Sequence, residues 1–203
     1  PPRANGATAR NRKGPPGRTP AGPSGGNQEG GGGQIILVFL GCVAIIQRLL
    51  NPGGRLKIGV ISDTHLKGCD EPLRRLLERL FRDVDWVLHA GDLVDLSVLE
   101  LFGGKEVRAV YGNCDPPPVR QALSERLVVE AEGVRLGLVH DPDSALGRGG
   151  LEPMGPLDCL VFGHTHRPVN VRKDGVLYFN PGSATDNRFS QSNSVGILHV
   201  GKG

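Results

Sequence analysis

From residue 56 onward, short apolar runs end abruptly in small polar motifs, and the spacing of apolar positions alternates between that of a strand and that of a helix. Leu56 to Ile61 is a run of aliphatic and β-branched residues that predicts a buried strand. Pro72 marks a helix start, where its missing N–H costs little, with the acidic Asp70 and Glu71 just ahead. Leu73, Leu76, Leu77, Leu80 and Phe81 then fall on one helical face. Arg74, Arg75, Glu78, Arg79 and Arg82 fill the other, read as a solvated surface rather than a phosphate-binding patch. Further strands are predicted at 85–89, 106–111, 157–162 and 195–200, with a short helix around 96–102. Residues 127–130 and 134–139 flank an Ala-Glu-Gly turn, and 169–171 and 176–179 flank Lys173-Asp174-Gly175, so each pair reads as a hairpin. The early βαβα order requires helices outside a sheet, and the hairpins require antiparallel pairing. An α/β fold, a four-layer α/β/β/α sandwich of two mixed sheets flanked by helices, accommodates both.

The first 34 residues have no apolar period and are rich in Gly, Pro, Arg and Ser, which predicts disorder because they cannot bury enough surface to offset ordering. Ile35 to Ile46 is an uncharged, mostly apolar run, followed by the breaker Asn51-Pro52-Gly53-Gly54. It is short against the roughly 20 residues of a spanning helix and too far along the chain for an ordinary signal peptide. A membrane anchor and a helix docked on the domain are its two readings, with any membrane contact running through 35–50. The expected organisation is an extension at 1–34, an apolar segment and linker at 35–54, and a domain at 55–203. The sequence starts at Pro1, its one methionine is Met154, and the domain begins abruptly at Leu56. One expectation is therefore that residues 1–55 come from an over-extended reading frame.

Composition, 38% hydrophobic and 22% charged over 203 residues, is that of an ordinary soluble domain. Charge divides the chain. Residues 1–54 contain six basic residues and one acid, which leaves 18 of the 24 basic and 20 of the 21 acidic residues, a net −2, in 55–203. The basic character belongs to the extension, so no specific nucleic-acid binding is expected of the domain. Cys69, Cys114 and Cys159 show no C-x-x-C spacing, which points to reduced thiols in a cytoplasmic protein.

The polar motifs carry the chemistry. Asp63-Thr64-His65, Gly91-Asp92, Gly112-Asn113, His140-Asp141 and Gly163-His164-Thr165-His166 each follow a predicted strand. Taken singly, each has a plain reading: a helix cap, a Gly-Asp turn, an Asx turn before three prolines, a histidine at a strand end. Two imidazoles one residue apart after a glycine make the last motif the strongest. Together they gather at strand carboxyl ends, where open α/β sheets bind ligands. Five of the six histidines lie in or beside them. His89, inside a strand, and His199, in the terminal one, are read as packed or hydrogen-bonded residues. Carboxylates, a carboxamide and imidazoles in one place suit borderline divalent cations, Mn, Fe, Zn or Ni, and metal-assisted hydrolysis.

In this order, and with Gly-Asn-Cys-Asp at 112–115 and Asn180-Pro181-Gly182-Ser183 near the end, the motifs resemble those of the calcineurin-like metallophosphoesterases. The short length is similar to the small bacterial and archaeal phosphodiesterase branch, which also contains the retromer-subunit relatives. The resemblance runs from about Leu56 to Val200. It implies two divalent metal ions: Asp63, His65 and His166 holding one, Asn113, His140 and His164 the other, and Asp92 bridging them through its two oxygens. It further implies a phosphoesterase, cleaving phosphodiester bonds of a small or nucleotide-type substrate through a metal-bridging hydroxide, with Asp92, Asn113 and His140 catalytic. Arg188 and Arg167 are candidate phosphate contacts. Two positions depart from the pattern. Cys114 stands where many larger members have a histidine, and a thiol is a poorer proton donor to an alkoxide, so esters with good leaving groups are favoured. Asp141 replaces a usual glycine, as a hydrogen-bond partner behind His140 or as a charge repelling phosphate. The rival reading is a non-catalytic protein-binding scaffold like the retromer subunit. Every ligand position here has a competent residue, which favours the enzyme.

Overall fold

The computed structural model describes residues 42–49, 56–147 and 150–201, and in it every predicted strand forms. The first sheet runs in the order β1(Cys42–Leu49), β10(Asn193–Val200), β2(Leu56–Ile61), β3(Trp86–Ala90), β4(Glu106–Val110). Here β2, β3 and β4 are parallel, and β10 is antiparallel to β2. The second runs β5(Arg126–Ala131), β6(Val134–Val139), β7(Cys159–Val161), β9(Val176–Asn180), β8(Val169–Lys173). Its antiparallel pairs are the two expected hairpins, and β6, β7 and β9 are parallel. Both sheets are mixed.

Alternation along the strands divides the core into layers. Ile58, Val60, Leu88 and Ala90 of the first sheet meet Leu136, Leu138, Val161 and Phe179 of the second in one buried cluster. Ile61 and Val87 face the other way, onto Leu73 and Leu77 of α1(Glu71–Leu80), onto its C-cap Phe81 and onto the 3-10 helix Leu96–Phe102. On the far side of the second sheet, Val139 and Leu160 pack against Ala145, Met154 and Leu157, from α3(Pro142–Leu146) and the following turn. The result is the helix, sheet, sheet, helix order that the pattern requires.

Helix α1 starts where the sequence says, with Asp70 accepting the Leu73 N–H at 2.8 Å. Part of its polar face is internally paired: Arg74 and Arg75 bind Glu71, and Arg74 also binds Glu78, while Arg79 and Arg82 are exposed. Two short helices, α2(Pro117–Ala122) and α3, go beyond the elements that periodicity predicts. Both begin with proline, whose fixed φ is already that of a helix, so the prolines after Asp115 start a helix rather than prolong a turn.

The described end of the apolar segment, from Cys42 on, is neither an anchor helix nor a docked helix. Cys42–Leu49 is an edge strand, in parallel register with β10 from Cys42↔Asn193 to Leu49↔Val200. Strand geometry prevails because this stretch is rich in β-branched residues and the edge of β10 otherwise offers unpaired N–H and C=O groups. Residues 35–41 and the 1–34 extension lie outside the described residues. Among the described residues no helix is long and apolar enough to cross a membrane.

Candidate metal centre

All five motifs begin within two residues of a strand end, and backbone bonds lash them together. Asp63 N–H donates to Gly91 O, His65 N–H to Asp92 O, and Gly163 N–H to His140 O, each at 3.0 Å. Two glycines explain why the side chains can converge. A Cβ on Gly112 would stand 2.1 Å from Asp92 Oδ1, and one on Gly163 would stand 2.8 Å from both Asp63 Oδ2 and Ala90 O. Only residues without side chains admit the carboxylates there.

The backbone is also strained. Among the described residues, eight non-glycine residues have positive φ, and five of them are Asp63, His65, Asp92, His164 and His166. Of the others, Glu132 and Asp174 sit in hairpin turns, where this conformation is routine. Left-handed conformations cost about 1–3 kcal/mol each and persist where surrounding structure enforces them, typically at functional sites.

Two groups of donor atoms result. In the first, His166 Nε2 lies 3.3 Å from Asp63 Oδ1 and 3.2 Å from His65 Nε2. In the second, Asn113 Oδ1 lies 3.0 Å from His140 Nε2 and 2.9 Å from His164 Nδ1. Asp92 Oδ2 stands between them, 3.7 Å from His65 Nε2 and 3.4 Å from His140 Nε2. All seven predicted side chains therefore meet. Asp63 and His166 in the first group are buried, whereas Asn113 and His164 are exposed, so the approach from solvent is over the second. Asp92 Oδ1 accepts the Cys114 N–H at 2.8 Å, which leaves Oδ2 alone facing both groups.

Protonation shows what the groups can accept. His140 Nδ1 lies 2.8 Å from Ala90 O, a carbonyl with no proton to give, so the proton is on Nδ1. Nε2 then presents a lone pair to Asp92 Oδ2 and Asn113 Oδ1, an arrangement that needs a proton or a cation among the three atoms. Burial opposes a charge on His140, but its bond to Asp92 raises its pKa overall. Burial likewise works against the Asp92 carboxylate, yet His140 and the Cys114 N–H together hold it down to about 2. Asp63, fully buried, is pushed up to about 7 by that burial, with the Asp92 charge adding to the rise. Burial and the neighbouring His65 lower His166. A neutral imidazole and a carboxylate are the forms that bind metal.

The residues fit divalent cations. Donor separations of 2.9–3.7 Å are close to the edges, roughly 3.0 Å octahedral and 3.4 Å tetrahedral, of a shell with ligands at about 2.1 Å. Three overlapping sets of potential ligand atoms emerge from the same geometry: Asp63, His65 and His166; Asp63, Asp92 and His140; His65, Asp92 and Cys114.

The profile of the calcineurin-like phosphoesterase superfamily domain matches residues 56–203. The chain belongs to the calcineurin-like phosphoesterases. It is 35% identical over 150 residues to a probable metallophosphoesterase of Methanothermobacter thermautotrophicus, covering 70% of this chain and 85% of that one. It is 34% identical over 164 residues to the phosphodiesterase YfcE of Escherichia coli, covering 70% and 87%. The structure of YfcE superposes with a TM-score of 0.55 at 27% identity, again covering 70% and 87%. A vacuolar protein sorting 29 structure from Entamoeba histolytica, complexed with zinc, gives a TM-score of 0.57 at 25% identity over 71% and 86%.

Within this calcineurin-like phosphoesterase, several residues to which the sequence assigns no role of their own support the donor atoms. Asp115, beside the Gly-Asn pair, accepts the N–H groups of Asp92 at 3.0 Å, Val94 at 2.6 Å and Gly112 at 2.7 Å, bracing two motif loops with one buried carboxylate. Asn180 donates to Gly163 O at 2.7 Å, and Ser183 donates to Asp63 O at 2.7 Å. Asp186 Oδ2 stands 3.2 Å from His166 Nδ1, close but off the direction of a good hydrogen bond. Arg188, a candidate substrate contact, is bound to Asp186 through Nε and Nη2. Asp141 caps α3 by accepting the Asp143 N–H at 3.1 Å, which gives its carboxylate a structural partner other than His140. His89 is buried, with Nε2 3.2 Å from Thr64 Oγ1 and its ring edge-on to Phe102.

Proposed function

We propose that this calcineurin-like phosphoesterase is a dinuclear metal-dependent hydrolase of phosphodiester bonds in small or nucleotide-type substrates. The observation that carries the reading is a single oxygen, Asp92 Oδ2, within 3.7 Å of an imidazole nitrogen of each donor group. Asp63, His65 and His166 would hold one cation, Asn113, His140 and His164 the other, and Asp92 both. Two such cations, Mn, Ni, Fe or Zn, would neutralise phosphoryl oxygens and activate water for in-line attack.

The chain's own residues define the rest. The Ala90 carbonyl fixes the His140 tautomer and aims Nε2 into the centre. Asp186 stands 3.2 Å behind His166 Nδ1 as a nearby charge rather than a hydrogen-bond partner. Asn113 turns Oδ1 inward while its Nδ2 donates to Cys114 Sγ at 3.3 Å, so Cys114 lies at the open rim. Burial and the adjoining Asp92 push the Cys114 thiol up to about 11, so at neutral pH it keeps its proton and is a weak acid toward a departing alkoxide. That supports esters with good leaving groups. Free thiols at Cys69, Cys114 and Cys159 support a cytoplasmic location.

A second reading, a protein-binding scaffold, is favoured by the likeness to the Entamoeba vacuolar protein sorting 29 structure. Hydrolysis of bis(p-nitrophenyl) phosphate by the full chain across a panel of divalent metals separates the two. Turnover that Asp63→Asn and His166→Ala both abolish is expected. A folded protein with no turnover under any metal would favour the scaffold.

A further inference from the structure

Two clefts flank the donor atoms. One, of about 110 Å³, lies beside Asn113 and His140 and is walled by the carboxylates of Glu125 and Asp141. Its arginine, Arg120, is committed to the backbone oxygens of Asn113 and Asp115 at 2.7 Å each. The other, of about 470 Å³, runs from His164 past Arg167 and Val169 to Phe189. Phe189 is 52% exposed yet held in place: its ring meets His166 edge-on at 5.5 Å, and the Arg188 guanidinium, locked to Asp186, lies 5.7 Å from its centre. Arg167, by contrast, has no carboxylate partner among the described residues. The smaller cleft has about a quarter of the volume, two carboxylates in its wall and an arginine already committed to the backbone. The larger has the volume of a small-molecule site, an aromatic wall and an uncommitted cation.

We infer that the larger cleft takes the aromatic or nucleobase ring of the phosphoester, stacked on Phe189, with Arg167 toward a polar or anionic group of the same molecule. This rests on the phosphoesterase reading and narrows its substrate class to nucleotide-like esters. His164 belongs to both the donor set and the cleft wall, so phosphate and ring of one molecule are addressed together. A base stacked on an aromatic side chain is bound several-fold to a hundredfold more tightly than the same ligand without it.

The test is calorimetric titration of the manganese-loaded full chain with inorganic phosphate, ribose 5-phosphate and adenosine 5′-monophosphate. Adenosine monophosphate is expected to bind about tenfold more tightly than ribose 5-phosphate. Phe189→Ala should bring the two within about twofold of each other, and Phe189→Trp should keep them apart, because the indole also stacks. Equal affinity in the unaltered protein, or a preference that survives Phe189→Ala, would overturn the ring site while leaving phosphate binding intact. Failure of all three phosphates to bind would instead remove the phosphoesterase reading, and the ring site with it.

Discussion

Replacing Asp63 by asparagine should stabilise the metal-free protein and destroy its response to metal. Asp63 is fully buried, and its carboxyl is pushed from 3.8 to about 7 by that burial. A rise of roughly three pKa units corresponds to about 4 kcal/mol of preference for the protonated form in the folded state. The sign follows from proton binding. Between pH about 4 and about 7 the folded chain holds a proton on Asp63 that the unfolded chain has released, so this contribution is present below pH 4 and lost as pH rises through 7. His166 and His89, whose pKa values are lowered, act in the opposite direction, so the wild-type profile alone is not diagnostic. The difference between variant and wild type isolates Asp63. The carboxamide of the Asp63→Asn variant resembles the protonated acid, still offering an acceptor to either Ser62 Oγ or the His164 N–H, so the two proteins should be alike near pH 4. At pH 8 in chelator the variant should be more stable by about 2–4 kcal/mol, a rise in Tm of roughly 5–15 °C for a domain of this size. Manganese should then reverse the order, raising the wild-type Tm and leaving the variant unmoved. Thermal unfolding by circular dichroism at pH 4 and pH 8, with chelator and with manganese, measures all four states. A variant less stable than wild type at pH 8 in chelator, or stabilised by manganese to the same extent, would refute the argument that a buried, uncompensated carboxylate awaits a cation there.

Gly112→Ala should abolish metal-dependent turnover in a protein that still folds, because the new methyl would stand 2.1 Å from Asp92 Oδ1; near-native circular dichroism with lost activity is the expected pair of results. Asp115→Ala leaves three N–H groups without their acceptor and should cost about 3 kcal/mol or more in urea unfolding, with activity lost alongside. Cys114→His should raise kcat for alkyl esters more than for p-nitrophenyl esters, since only the former need their leaving group protonated; equal effects on both would count against a proton-donor position at 114. Asp186→Asn should weaken manganese binding about 10–100-fold by titration calorimetry, through its contact with His166 Nδ1.

The parts of the molecule legible in the sequence are those where one period dominates. Leu73, Leu77 and Phe81 mark α1 because a helix buried on one side repeats every 3.6 residues. The motif residues are legible for a different reason: each follows a strand, so a correct strand reading already assigns them to one edge. Asp115 is not legible as a brace, because an aspartate after Gly-Asn reads as a turn until its three partners, two of them from another loop, are known. The pairing of Arg188 with Asp186 is equally hidden, since an (i, i+2) pair follows no secondary-structure rule. Strand β1 reads as a helix or an anchor because a short apolar run has no period of its own, and only the open edge of β10 decides its conformation.

The position of the donor atoms ties activity to the core. Asp63, His65, Asp92 and Asn113 come from loops of the first sheet, and His140, His164 and His166 from loops of the second. Each donor group therefore draws on both sheets: Asp63 and His65 with His166 in one, Asn113 with His140 and His164 in the other. The bonds that fix the donors also cross the gap, from His140 Nδ1–H to Ala90 O at 2.8 Å and from His164 N–H to Asp63 Oδ1 at 3.2 Å. Sheet separation is set by the side chains between the sheets, Leu88, Leu136, Val161 and Phe179 among them. Interiors at crystal-like packing density transmit a change of volume rather than absorb it. A shift of about half an ångström between the sheets thus enters both donor groups at once, on distances of 2.9–3.7 Å. Metal affinity in this fold is consequently a property of the inter-sheet core as much as of the seven side chains that would touch the metal.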